Sequence, residues 1–169
     1  MLVPAAVPSS TRAGSGSSPV RVAVALGSNL GDRPAQLDAA GEHLKAVVDG
    51  LVVSSYHDTA PVGVGEQPRF LNAAAVGTTF LSARALLQRL LAIEQVFGRE
   101  RPYPGAPRTI DLDLVLYGQA IIDEPALQVP HPRFRDRAFV LDPLAEIAAD
   151  WLDPVTGLTI AALRAQLKG

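Results

Sequence analysis

The order of apolar segments between Val20 and Tyr117 constrains the fold of this chain more than any other feature. The first segment, 20–26 (VRVAVAL), is β-branched and almost continuously apolar, which is typical of a buried central strand. Strand-like and amphipathic segments then alternate, separated by glycine- and proline-rich turns. The pattern predicts strands over 20–26, 51–58, 70–80 and 108–118, one helix from the Asp32 cap to Gly50, and another from the Ser82 cap to Gly98.

The predicted order is therefore β-α-β-β-α-β. This is the split βαβ plan of the ferredoxin-like α+β folds, an antiparallel sheet with helices packed on one face. The apolar residues at 121–122 and 127–129 are candidates to extend the sheet. Short helices are predicted over 137–148, where Pro143 interrupts the pattern, and over 159–167.

Composition excludes several classes of protein. The chain has 169 residues, no cysteine and a formal net charge of -2, which excludes disulfide scaffolds, thiolate metal sites and a uniformly basic nucleic-acid binder. Residues 1–19 are rich in Ser, Gly, Pro and Ala, so we predict a disordered tail followed by one domain over 20–169. No apolar run approaches the roughly 20 residues that span a bilayer. We expect a cytoplasmic protein without a membrane or nucleic-acid partner.

Two aspartates on the last long strand are the sharpest local signal. Asp111 and Asp113 are two residues apart, so they share one face of the strand, with Cα atoms roughly 6–7 Å apart. The opposite face carries Ile110, Leu112, Leu114 and Leu116, which we predict to be core. Neighbouring carboxylates repel each other, and Mg²⁺ bound with substrate phosphates would relieve that repulsion. The alternative is an exposed polar face on an edge strand.

Arginines cluster around this strand. Six of the chain's thirteen arginines lie between Arg99 and Arg137, in the proline-rich segment 99–107, at Arg108 and in PHPRFRDR (130–137). Carboxylates that hold a metal ion beside arginines suit phosphoryl transfer, which depends on charge neutralisation and positioning. Each arginine alone could equally be a solvated surface charge.

Two further residues have both a structural and a functional interpretation. His131 lies between two prolines and is either a buried structural histidine or a contact for a polyphosphate. Asn72 interrupts a strand of small apolar residues. Its amide either bonds to the backbone in the core or matches the amide edge of a ligand. His43 and His57 are assigned to structure.

Six ordered blocks of the sequence resemble the 6-hydroxymethyl-7,8-dihydropterin pyrophosphokinases of folate biosynthesis. The resemblance extends from about Val20 to Leu167. The blocks are ALGSNLGDR (25–33), SSYHDTAPVG (54–63), QPRFLNAAA (67–75), IEQVFGRER (93–101), GAPRTIDLDLVLYG (105–118) and VPHPRFRDRAFVLDPLAEIA (129–148). The family often carries a tryptophan before PRT, whereas this chain has PYPGAPRT (102–109).

The resemblance implies a monomeric ferredoxin-like enzyme that transfers the β,γ-pyrophosphoryl group of ATP to the pterin's 6-hydroxymethyl oxygen. ATP and the pterin would be its small-molecule partners, and Asp111 and Asp113 would hold two Mg²⁺ ions. We expect segment 99–107 to close over bound ATP. The other implied site residues are Arg99 and Arg108 for catalysis, Glu94, Arg101, His131 and Arg137 for ATP, and Thr59, Phe70, Asn72 and Phe139 for the pterin.

Two other classes remain open from the residues alone. A D-x-D pair with arginines could serve a nucleotide-sugar transferase, although such enzymes usually need a larger nucleotide domain. A ferredoxin-like RNA-binding module would need exposed aromatic residues and a basic surface. Aromatic residues make up 5% of this chain and its net charge is negative, which disfavours the RNA-binding module.

Overall fold

The computed structural model describes residues 18–61, 67–98 and 109–168. The predicted tail, 1–19, lies outside this part of the chain except for its last two residues. Within the described residues the strands are β1 (Val20–Ser28), β2 (Asp49–Val53), β3 (His57–Thr59), β4 (Phe70–Thr79), β5 (Asp111–Tyr117), β6 (Ile122–Glu124) and β7 (Leu127–Val129). The helices are α1 (Arg33–Leu44), α2 (Ala83–Val96), α3 (Ala138–Ala148) and α4 (Ile160–Lys168), with a short 3₁₀ helix at Phe134–Asp136.

The main sheet is antiparallel throughout and has the strand order β2-β4-β1-β5, with β3 pairing to β4. This order places the first strand beside both the third and the last long strand, as the split βαβ plan requires. The ferredoxin-like prediction is confirmed. Strands β6 and β7 form a separate two-stranded sheet and do not extend the main one.

The predicted strand 51–58 is divided in two. Strand β2 pairs with the C-terminal half of β4 and β3 with its N-terminal half, and residues 54–56 connect them. Ser54 maintains the pairing across the break: its N–H donates to the Ala74 carbonyl at 2.8 Å, and its Oγ accepts from the Ala74 N–H at 2.9 Å. A hydroxyl thus replaces a backbone acceptor where the strand bends.

The two helices of the β-α-β-β-α-β unit share one face of the sheet, as predicted. We call the face of the sheet that α1 and α2 cover the closed face. In its core, Leu37 and Leu44 of α1 and Leu86 and Leu90 of α2 pack against the sheet. Helix α1 begins after its Asp32 cap, whose side chain accepts from the Ala35 N–H at 3.1 Å. It ends at Leu44, before the Gly50 predicted from the sequence.

Helices α3 and α4 cover the opposite face. Leu141, Leu144, Ile160 and Leu163 pack there against small residues of the sheet such as Ala23. The described residues therefore form three layers, with the sheet between two pairs of helices. No helix among them is long and apolar enough to cross a membrane.

A bulge in β5 changes which side chains face each core. Val24 pairs with Leu114 and Ala23 with Leu116, which leaves Val115 as an extra residue. Val115 and Leu116 both join the α3/α4 core, so the prediction that Leu116 shares the face of Leu112 is wrong. The freed Val115 carbonyl accepts from the His131 N–H at 2.9 Å and anchors the segment after β7.

Candidate functional site

Strand register brings the predicted site residues together on the α3/α4 face. Asn72 lies opposite Gly27, and Gly27 lies opposite Asp111, so these residues form one row across β4, β1 and β5. In the next row Ala25 lies opposite Asp113. The middle strand therefore contributes only a glycine and an alanine at the point where its neighbours carry an amide and two carboxylates.

These small residues form the floor of a cavity of about 310 Å³. It lies between the sheet and the beginning of α3. Its lining residues are Ala25, Leu26, Gly27, Thr59, Ala60, Phe70, Asn72, Asp111, Asp113, His131, Arg137, Phe139 and Val140. Eight of the residues that the sequence predicts to contact metal, ATP or pterin thus share one cavity.

Gly27 is a lining residue that the sequence interpretation missed as part of the site. A Cβ atom at this position would lie 3.2 Å from Oδ1 of Asn72 and 3.7 Å from Cδ1 of Phe70. The absence of a side chain keeps the amide and the ring in place and leaves space above the strand. A glycine ending an otherwise β-branched strand was the available signal, but a tight turn explains such a glycine equally well.

The acidic end of the cavity is formed by Asp111 and Asp113, both partly exposed. Among the described residues, no cluster of three or more His, Cys, Asp or Glu side chains could enclose a metal ion. Two carboxylates that line the cavity form an incomplete donor set for a metal ion. That suits Mg²⁺, which is often held by one or two carboxylates together with substrate phosphates and water.

His131 and Arg137 line the cavity beside these carboxylates. Nδ1 of His131 accepts a hydrogen bond from the Arg133 N–H at 3.1 Å, so the proton of the neutral ring is on Nε2. Burial and the charge of Arg137 lower the pKa of His131 below its ordinary value, and the opposing effect of Asp111 does not overcome them. At neutral pH the ring is uncharged, and its Nε2–H can donate to an anionic oxygen.

The other end of the cavity combines an amide with two aromatic rings. Nδ2 of Asn72 donates to Oγ1 of Thr59 at 2.6 Å, which fixes the orientation of a side chain that is 5% exposed. Phe70 and Phe139 line the same cavity, and the Arg137 guanidinium carbon lies 5.5 Å from the centre of the Phe139 ring. Such an arrangement can stack a flat heterocycle and bond to its edge.

Glu94, which the sequence predicts to contact ATP, is buried, and its contact with ATP stays a prediction. Its side chain is 1% exposed and is not among the cavity-lining residues. Its Oε2 accepts from the Leu112 N–H at 2.7 Å, on the outer edge of β5. β5 is an edge strand, so no neighbouring strand can accept this hydrogen bond. Glu94 accepts it instead and fixes the backbone between Asp111 and Asp113.

Arg135 also differs from the sequence expectation of a cluster of arginines beside the metal site. It forms a two-point ion pair with the fully buried Asp153, at 2.6 Å and 2.9 Å. Burial alone would raise the pKa of Asp153, but hydrogen bonds from Arg135, Thr156 and Val155 lower it to about 2. Arg135 thus anchors the segment that carries His131 and Arg137, and it is not among the cavity-lining residues.

Three predicted residues fall outside the described part of the chain. They are Arg99, Arg101 and Arg108, together with the segment 99–107 that we expect to close over ATP.

Comparison with known proteins gives the family. The model of the 7,8-dihydro-6-hydroxymethylpterin-pyrophosphokinase (HPPK) family matches residues 23–149. A 2-amino-4-hydroxy-6-hydroxymethyldihydropteridine pyrophosphokinase of Synechocystis sp. is 44% identical over 147 residues, which cover 85% of this chain and 74% of the relative. The enzyme of the same name from Bacillus subtilis is 45% identical over 126 residues, which cover 73% of this chain and 75% of the relative.

Some relatives are much longer than this chain. The match to the folic acid synthesis protein fol1 of Pneumocystis carinii, 42% identical, spans 19% of that protein. The fold matches the crystal structure of Plasmodium falciparum HPPK-DHPS with a TM-score of 0.69 at 13% identity, over 88% of this chain and 45% of that one.

These matches decide against a nucleotide-sugar transferase and an RNA-binding module. They agree with the geometry, since the matched region contains the strands and the helix that form the cavity. The chain belongs to the 7,8-dihydro-6-hydroxymethylpterin-pyrophosphokinase family.

Proposed function

We propose that this chain transfers the pyrophosphoryl group of ATP to the 6-hydroxymethyl oxygen of 6-hydroxymethyl-7,8-dihydropterin, releasing AMP, in folate biosynthesis. The observation that carries the proposal is the division of one cavity into two chemistries. Two carboxylates, a histidine and an arginine form one set of lining residues, and an amide and two phenylalanines form the other. The first suits a triphosphate with its metal ion, and the second suits a flat ring with hydrogen-bonding edges.

The pterin end would recognise the ring in two ways. Phe70 and Phe139 would stack on its faces, since aromatic side chains bind flat rings by offset or edge contacts. Asn72 carries both a donor and an acceptor, and the bond to Thr59 leaves its Oδ1 and its second N–H for the edge of the pterin. A ring that lacks this edge would leave the buried Oδ1 and the second N–H of Asn72 without that hydrogen bond, which costs about 1–3 kcal/mol.

The phosphate end would orient ATP for attack. The hydroxymethyl oxygen attacks the β-phosphorus and loses its proton, while the bond from that phosphorus to the α-β bridging oxygen breaks and AMP departs. Nε2–H of His131 and the guanidinium of Arg137 would donate to phosphate oxygens at this end. We assign the same kind of role to Arg99, Arg101 and Arg108 from the family resemblance.

Asp111 and Asp113 would hold the magnesium, for which we propose two ions. Bound there, Mg²⁺ would neutralise charge on the triphosphate and polarise the acceptor hydroxyl. The protein supplies the fixed strand geometry, since β1 pairs with β5 through Gly27 and Ala25 and Glu94 binds the outer edge.

Product analysis tests the proposal. The protein is incubated with ATP, the hydroxymethyl-dihydropterin and Mg²⁺, and the nucleotide products are separated. AMP and the pterin pyrophosphate should form in equal amounts, and chelation of Mg²⁺ should stop the reaction. Formation of ADP, or hydrolysis of ATP that does not depend on the pterin, would contradict the assignment.

We also propose a monomer that acts in the cytoplasm, with ATP and the pterin as its partners. The resemblance to the family supports the monomer. Sedimentation of the active protein with and without ATP tests the monomer.

A further inference from the structure

A group of polar contacts joins β3 to α3 outside the cavity. The Glu146 carboxylate accepts hydrogen bonds from the Ser55 N–H at 2.9 Å and from the Ser55 hydroxyl at 2.7 Å and 2.9 Å. It also lies 2.5 Å from Nε2 of His57. The Ser55 hydroxyl and Glu146 approach the same ring nitrogen, so His57 cannot relay a proton between them as it would in a catalytic triad.

These contacts connect two elements that also form cavity walls. His57 and Thr59 are two residues apart on β3 and share a face, and Thr59 lines the cavity. Phe139 and Glu146 are seven residues apart on α3, so they lie on one stripe of the helix about 10 Å apart. The carboxylate therefore links β3 and α3 at one end, while Thr59 and Phe139 line the cavity at the other.

The contacts of Glu146 are directional, unlike the apolar contacts that pack α3 on the sheet. Leu141 and Leu144 pack α3 on the sheet through apolar contacts, which do not fix the rotation of a helix. A carboxylate with three donors does fix it. Burial alone would raise the pKa of Glu146, but hydrogen bonds from Ser55 and His57 lower it, so the carboxylate is ionised at neutral pH.

A flat ring between two aromatic side chains needs a gap of roughly 7–8 Å, the sum of two van der Waals contacts. Phe70 is fixed to the sheet opposite Thr59, whereas the position of Phe139 depends on α3. The width of the gap is therefore set by how α3 sits on the sheet.

We propose that Glu146, Ser55 and His57 are positioning residues that fix α3 relative to β3 and so set the gap in which the pterin ring binds. The inference rests on the proposed function, because it concerns the pterin end of the same cavity. It predicts that these residues control affinity for the pterin and leave affinity for ATP almost unchanged, since the acidic end is built on β5 and on the segment after β7.

The test compares Glu146→Ala, Glu146→Gln and Ser55→Ala with the control Arg164→Ala. Arg164 forms an ion pair with Asp142 at 2.8 Å, so the control removes a polar contact of α3 with α4 and leaves β3 untouched. For each variant, the Kd of the pterin is titrated in the presence of Mg²⁺ and a non-hydrolysable ATP analogue. The Kd of the analogue and the melting temperature are measured in parallel.

We expect Glu146→Ala to raise the pterin Kd about tenfold and Ser55→Ala about threefold, with the analogue Kd within about twofold. Glu146→Gln retains an oxygen that can accept from Ser55, so it should recover most of the affinity. Should Glu146→Ala fail to fold, the Ser55→Ala result decides. Arg164→Ala should leave the pterin Kd unchanged, whatever its melting temperature.

The proposal fails if Ser55→Ala binds the pterin like the wild type and Glu146→Ala, where folded, does too. It also fails if Arg164→Ala weakens pterin binding as much as Glu146→Ala at an equal loss of melting temperature. A wild-type protein that binds no pterin would instead refute the proposed function, so the two failures are distinguishable.

Discussion

The same strands form a packed apolar core on one face of the sheet and a cavity on the other. On the face of α1 and α2, strand β1 presents Val22, Val24 and Leu26, all buried in a continuous apolar core. On the face of α3 and α4, the same strand presents Ala23, Ala25 and Gly27. Ala23 and Ala25 each carry a single methyl group, and at Gly27 the surface of the sheet is bare backbone.

This difference shows how the cavity arises. The closed face stabilises the fold, so its side chains are large and interlocking. The other face is closed where Ala23, Ala74, Val76, Val115 and Leu116 pack under α3 and α4. Beyond these residues, Ala25 and Gly27 leave space for a ligand. Stability and binding are thus separated across one sheet, and substitutions on the two faces should affect different measurements.

We call the face of the sheet toward α3 and α4 the open face. The largest effect on turnover is expected from its carboxylates, Asp111 and Asp113. Asp111→Ala or Asp113→Ala should lower turnover at least about a thousandfold, because each removes a fixed charge needed at the reacting phosphates. The melting temperature without ligands should stay close to that of the wild type or rise, since adjacent carboxylates repel each other. Asp150→Ala, an exposed aspartate after α3, is the matched control and should retain full activity. Near-normal turnover in either cavity variant would refute the metal role.

The next effect concerns the ion pair that anchors the segment carrying His131 and Arg137. Arg135→Ala leaves the buried Asp153 without its main partner and should lower the free energy of unfolding by about 3 kcal/mol at pH 7. The pKa of Asp153 is about 2 in the folded protein against an ordinary 3.8. The stabilisation is therefore complete above pH 4 and is lost as the pH falls toward 2, so wild type and variant should converge there in denaturant unfolding.

Lys45→Ala is the control for this ion pair. Lys45 and Glu42 form an exposed pair one turn apart on α1, and the loss should stay below about 0.5 kcal/mol. Equal losses in the two variants, or a difference from wild type that persists at pH 2, would show that Arg135 does not stabilise the fold through Asp153.

Local patterns predicted much of this arrangement. The alternation in β5 predicted that Asp111 and Asp113 share a face, because residues two apart share a face where a strand has no bulge and the bulge of β5 lies beyond both, at Val115. The β-α-β-β-α-β order likewise predicted the sheet topology. Both inferences depend only on neighbouring residues and on a small set of possible connections.

Long-range partners account for what the sequence did not predict. Arg135 has the same local setting as Arg137, yet it binds Asp153, 18 residues away in the chain. Glu94 lies on a predicted helix, but its burial depends on β5 lying beside that helix. The bulge at Val115 shifts the side-chain alternation within a strand whose sequence is regular. None of these contacts has a periodic signature.

Gly27→Ala should have a moderate effect confined to the open face. The new Cβ would lie 3.2 Å from Oδ1 of Asn72, whose amide is held by Thr59 at 2.6 Å and has little freedom to move. We expect the pterin Kd to rise about tenfold, or about 1.4 kcal/mol, with a smaller change for ATP. Titration of both ligands measures this. Unchanged pterin affinity would mean that the amide does not contact the ring.

The smallest effect is expected from the same substitution on the closed face. Gly41 is buried in α1, but a Cβ there would meet no atom within 4 Å, so Gly41→Ala fits the existing packing. Alanine restricts the unfolded chain and favours the helix, which should raise the free energy of unfolding by about 0.5–1 kcal/mol. Affinity for both ligands should remain that of the wild type. Denaturant unfolding and titration of the pterin and ATP test Gly27→Ala and Gly41→Ala together. A Gly41→Ala variant that lost pterin affinity would show that the two faces are coupled through the sheet.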